Sequence, residues 1–129
     1  MCKDPTEEEV VAAIWSLHPN KAPGPDGFTI AFCRSHWYTI RKDFLRMVKN
    51  VFKKKIGGNT KSSYLALIPK EANPSTFNRF RPISLCNSSY KIITKIIANR
   101  IKEVLPIIIS ERQGGFVPSR QIIDNVIIV

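Results

Sequence analysis

Residues 79–95 read RFRPISLCNSSYKIITK, and the fold turns on the change of rhythm inside them. RFRPISL (79–85) reads as a strand, with Pro82 confining it to a sheet edge or a strand end because proline has no N–H for the ladder. From Asn87 the apolar residues recur every three to four positions through NSSYKIITKIIANRIKEVLPIII (87–109), which is the period of a helix. Asn87 or Ser88 is its natural cap, and Ile93, Ile97, Ile101 and Val104 form the side expected to be buried. The density of β-branched residues offers a strand as the competing reading, but the period favours the helix.

Upstream, SSYLALIPK (62–70) is short and apolar, with Gly57-Gly58 before it and Pro69 near its end. It reads as a strand buried on both faces. The polar KEANPSTFN (70–78) would then join it to RFRPISL as an antiparallel hairpin. Residues 29–55 read as one long helix, since Trp37, Ile40, Phe44, Val48 and Val51 recur at helical spacing. The lysines 53–55 at its end either compensate the helix dipole or meet phosphate. Near the N-terminus, Thr6 and Glu9 form a capping box ahead of an apolar face of Val10, Ile14 and Leu17, and Pro19 ends that helix. NKAPGPDGF (20–28) is a rigid irregular loop in which Asp26 serves a turn. The fold class expected is α+β, rich in helix, with one small antiparallel hairpin.

Charge narrows the function. The chain has 129 residues and a net charge of +10. Residues 1–27 hold two cations and five acids, a balance of −3, whereas the remainder holds 18 cations and five acids, a balance of +13. A field of one sign over most of a domain repels itself, and a polyanion such as nucleic acid relieves it. Cys2, Cys33 and Cys86 lie far apart without a CxxC, and His18 and His36 lack ligand spacing, so neither a disulfide scaffold nor a zinc site is expected. The N-terminus is acidic and polar, unlike a signal peptide, and no apolar run is long enough for a bilayer. An intracellular setting, nucleus or cytoplasm, with no membrane partner is therefore expected.

The acids do not pair as a two-metal centre requires, because there is no Asp-x-Asp or Asp-Asp. No GxSxG and no Walker loop occurs. The cations at the strand ends are more telling. Lys70 closes the first strand and Arg81 lies in the second, so a hairpin could bring a point charge and a planar fork to one phosphate group. Two solvated cations at a hairpin rim remain the other reading. Lys91 and Lys95, one turn apart on the last helix, either face phosphates or form a solvated face.

TEEEVVAAIWSLHPNKAPGPDGF, LALIPK, RFRPISLCNSSYKIITKIIANRI and QGGFVPSRQIIDN, in this order, resemble the reverse transcriptases of non-LTR (LINE-type) retrotransposons, particularly those of plants. The resemblance runs from about Thr6 to Val129. It implies that residues 1–28 are a helix and Pro/Gly loop upstream of the fingers of a right-hand polymerase, and that residues 29–129 are part of the fingers. It implies that Lys70 and Arg81 bind the triphosphate of an incoming deoxynucleotide. It implies that Gln113, Gly115, Phe116 and Arg120 line the path of an RNA template and DNA primer. The family's metal-binding aspartates lie in the palm, in motifs that this chain lacks, so the chain is expected to end before the palm and thumb. On that reading it holds no cofactor itself, has no polymerase activity alone, and leaves magnesium to the full-length parent. A nucleic-acid-binding module without catalysis and an inert pseudogene relic are the rival classes.

Overall fold

A computed structural model describes residues 3–53 and 62–110. It is α+β: helix α1 (Glu7–Ser16), α2 (Ile30–Ser35), α3 (Trp37–Phe52), strands β1 (Ser63–Pro69) and β2 (Phe80–Cys86), and helix α4 (Ser88–Ile108). The N-terminus of α1 forms as its residues dictate. The Thr6 hydroxyl accepts from the Glu9 N–H at 3.3 Å, and the Glu9 carboxylate accepts from the Thr6 N–H at 2.9 Å. Each partner satisfies a backbone donor that the first turn would leave open, and the cap contributes about 1 kcal/mol.

The core is built by the helices. Val10, Ala13, Ile14 and Leu17 from α1 and its end meet Ile92, Ile93 and Ile96 from α4, with Ile30 and Cys33 of α2 and Val48 of α3 closing the cluster. Each fully buried Ile or Val contributes roughly 1.5–3 kcal/mol relative to its exposed state. Burial also holds the Cys33 thiol protonated by raising its pKa. The buried face of α4 differs from the expected one. Ile93 is buried, but Ile97 is 41 % exposed, and Ile92 and Ile96 take the inner positions. Two i,i+4 rows share this isoleucine-rich helix, and contact with α1 selects between them.

The expected helix over 29–55 is two helices. His36 lies at φ −106°, ψ 17°, outside helical values, and is both the last cap of α2 and the first residue before α3. Its N–H still bonds to the Phe32 carbonyl at 3.0 Å, and its ring stacks on Phe32 with centroids 4.4 Å apart. The apolar rhythm continues through the break because both helices cover the same core. Arg34 explains the placement of α2: its guanidinium donates to the carbonyls of Trp15 at 2.8 Å and Leu17 at 2.7 Å, closing the C-terminus of α1, and lies over the Trp15 ring.

A second tie joins α1 to α4. Arg100 grips Glu9 through both carboxylate oxygens, at 2.7 and 2.8 Å, donates to the Lys3 carbonyl at 2.8 Å, and covers Phe52. The hydrogen bond from Arg100 and that from the Thr6 N–H hold the Glu9 carboxyl at about 2, below its ordinary 4.5. A depressed carboxyl stabilises the fold above its unfolded value and ceases to do so as the pH falls through the folded value. Thermal midpoints measured from pH 7 to pH 2 are therefore expected to fall between about pH 4.5 and pH 2. Glu9→Gln is expected to be less stable at neutral pH and to show a shallower fall across that window.

Candidate nucleic-acid interface

The hairpin rises from the β2–α4 junction and carries Lys70, Arg79 and Arg81. β1 and β2 run antiparallel, with Ser63 opposite Cys86, Ala66 opposite Ile83, Ile68 opposite Arg81 and Pro69 opposite Phe80. The strand was expected to be buried on both faces. It is exposed on both: Tyr64, Leu65, Leu67 and Ile68 all open to solvent by 45 % or more. The run is apolar, but the two strands contact chiefly each other and the helices cover neither face. A two-stranded ribbon has no second layer of its own to bury its side chains.

At the tip, a short 3-10 turn (Phe77–Arg79) brings the loop back to β2. The Lys70 N–H donates to the Arg79 carbonyl at 2.8 Å, and the Lys70 ammonium donates to the Asn78 carbonyl at 2.8 Å. Arg79 forms an ion pair with Glu71 across the loop. Arg81 is exposed, and its side chain makes no hydrogen bond or ion pair among the described residues. Side chains alternate along a strand, so Ile68 and Arg81 share one face and Lys70 follows Ile68 by two residues. Lys70 and Arg81 are thus diagonal neighbours, a relation that sets strand positions roughly 7–8 Å apart. The tip carries Lys70, Arg79 and Arg81 against one acid, Glu71, a balance of +2.

The root of the hairpin is clamped by the Pro/Gly loop. Residues 24–27 form a turn closed by the Gly27 N–H on the Gly24 carbonyl at 3.0 Å, with Gly27 at φ +72°. Pro25 suits the first corner of that turn and Asp26 the second, and the Asp26 carboxylate accepts from the Phe28 N–H at 3.1 Å. Asn87, which ends β2's run into α4, makes no side-chain cap bond to α4. Its Oδ1 instead accepts from the Asp26 N–H at 3.2 Å. Ser88 is buried and donates from its hydroxyl to the Phe28 carbonyl at 2.6 Å. The Lys91 ammonium donates to the Ala22 carbonyl. Lys91 therefore holds the loop, while Lys95, one turn on and half-buried, makes no such bond among the described residues.

Lys70 and Arg81 lie together at the tip, and Lys91 and Lys95 lie beyond the root on α4. Gln113, Gly115, Phe116 and Arg120 lie outside the described residues, as do Lys54 and Lys55. Lys53, of the same lysine run, pairs with Asp4 at 3.1 Å. Reading the residues alone missed Gly24, Asn87 and Arg79. Asn87 and Ser88 signal a helix cap, and only the packed loop shows that they serve a segment some sixty residues earlier. Among the described residues, no three His, Cys, Asp or Glu side chains come together as metal ligands. No helix among them is long and apolar enough to cross a membrane.

No protein-family model matches the chain. Over 125 residues it is 37 % identical to the Transposon TX1 uncharacterized 149 kDa protein of Xenopus laevis. The matched region is 96 % of this chain and 10 % of that protein, so the chain spans about a tenth of the relative's length. The similarity supports a transposon origin for the chain.

Gly24 is the sharpest test of the clamp. A Cβ there would lie 2.4 Å from the Asn87 nitrogen and 2.5 Å from the Cys86 carbonyl carbon, both backbone atoms. Gly24→Ala is expected to destabilise the fold by about 1–3 kcal/mol, as overpacking against backbone does, in urea or thermal unfolding. Gly27→Ala meets no atom but strains a positive φ, and is expected to cost less, about 1 kcal/mol.

Proposed function

We propose that this chain is the fingers portion of a LINE-type, non-LTR retrotransposon reverse transcriptase, the plant-like RNA-directed DNA polymerase that its motifs resemble. Its task there is to hold an incoming deoxynucleoside triphosphate and the RNA template near the primer end. The observation that carries this reading is the tip: Arg81 is exposed and unengaged among the described residues, beside Lys70 on an exposed hairpin. An arginine fork and a lysine point charge neutralise phosphate oxygens and fix their position. Similarity to a transposon protein over nearly the whole chain supports the same reading.

Bond making is assigned elsewhere. Four of the described acids are engaged by nearby cations: Glu9 by Arg100, Glu71 by Arg79, Asp43 by Arg46 and Asp4 by Lys53. They do not assemble as a magnesium site, and the parent's palm would hold the metal. The contribution of this chain is binding and orientation. The same pairing of acids favours a second reading, a nucleic-acid-binding module that never catalyses.

Primer extension on an RNA template separates these readings. The chain alone is expected to yield no product with magnesium, and clear product would contradict the assignment. In a longer polypeptide that includes palm and thumb, Arg81→Ala is expected to lower kcat/KM for the nucleotide about 10- to 100-fold, the scale of a lost charged hydrogen bond. Lys42→Ala, exposed on α3, is the control and is expected to change it less than twofold. Equal effects of the two substitutions would remove Arg81 from the nucleotide site.

A further inference from the structure

The exposed ring of Phe77 is unexplained by phosphate binding. It sits in the 3-10 turn at the hairpin tip and is 84 % exposed, among the most open of the large apolar side chains. Its neighbours are cationic. The Lys70 ammonium rests on the carbonyl of Asn78, the next residue, and Arg79 follows. Tyr64, 59 % exposed, stands on the face of the hairpin that carries Ile68 and Arg81, four residues back along β1. At about 3.4 Å per residue, that sets Tyr64 some 14 Å from the level of Arg81. One exposed ring thus stands on the strand face that carries Arg81, and a second stands in the turn at the tip.

We infer that the hairpin tip is a stacking platform for single-stranded nucleic acid, with Phe77 receiving the face of an unpaired base while Arg81 and Lys70 hold the adjoining phosphates. The inference rests on the phosphate reading of Arg81 above and adds the base to it. Three cations against one acid select a polyanion over an apolar protein partner. A ring needs a free base face, and bases in a duplex are already stacked on each other, so the partner is a single strand. Stacking of this kind tolerates any base, as a surface that must follow varied template sequence requires.

The 129-residue chain, titrated by fluorescence anisotropy, tests this. The probes are a labelled 12-nucleotide oligodeoxyadenylate, an abasic strand of equal length and charge, and a 12-base-pair duplex. The chain is expected to bind the base-bearing strand roughly five- to a hundred-fold more tightly than the abasic strand. Phe77→Ala is expected to remove most of that preference while leaving abasic binding and the salt slope unchanged. Phe77→Trp is expected to restore it, with indole fluorescence quenched on binding. If both strands bind the wild-type chain equally, or the duplex binds as tightly as the base-bearing strand, the stacking platform is overturned. Indifference to Phe77→Ala overturns it as well. In each of these cases a loss on Arg81→Ala leaves the phosphate reading standing. If no strand binds at low salt, both readings fall together.

Discussion

The close approach of Gly24 to Asn87 decides where the hairpin stands. The Pro/Gly loop and the β2–α4 junction meet without room for a side chain. Asn87, Ser88 and Lys91 then bond to the loop's backbone at Asp26, Phe28 and Ala22. The loop is continuous with α1 and α2, whose apolar residues form half of the core, so the hairpin root is referred directly to that core. A two-stranded ribbon is marginal alone. Here its register is set by the ladder, and its root is set by bonds to the backbone of the Pro/Gly loop. A cationic tip can be placed reproducibly only if its base is fixed, and this clamp is what fixes it.

The division of charge follows the same plan. The acids of the first turn of α1 are spent on structure: Glu9 caps the helix and grips Arg100, and Glu7 faces Arg41 at 3.8 Å. Exposed pairs of this kind contribute little individually. The Glu9–Arg100 pair differs because it is bidentate and only partly exposed, and because it joins the first and last described helices. With the N-terminal acids occupied, the positive balance of the remaining chain is expressed at its exposed parts, the hairpin tip among them. The first turn of α1 thus commits its acids to structure, while the helices and the hairpin tip both keep an excess of cations.

Local signals in the sequence were legible and distant ones were not. The Thr6–Glu9 box, the strand with Pro82 and the helix from Ser88 follow from residues within four positions of one another. The pairing of LALIP with FRPIS follows from two apolar runs around a polar loop. The break at His36 was hidden because no glycine or proline marks it and the apolar period runs on across it. The exposure of β1 was hidden because hydrophobicity reports what a side chain favours, not whether a neighbour arrives to cover it. Lys91 read as one of two equivalent helix-face cations. It is bonded to the loop and Lys95 is not, a difference made by a carbonyl 69 residues away in the chain. The nearness of Lys70 and Arg81 on the hairpin was legible from their places in the two strands, whereas the Asn87 and Gly24 clamp needed the packed structure.

On the function proposed above, the hairpin tip meets phosphates. An amide NMR titration of the chain with a deoxynucleoside triphosphate at low salt measures it most directly. The account predicts saturable shifts concentrated at Lys70 and Arg79–Arg81, with the α1–α4 core unmoved. Shifts spread evenly over the exposed lysines of α3 and α4, with the tip unmoved, would contradict it.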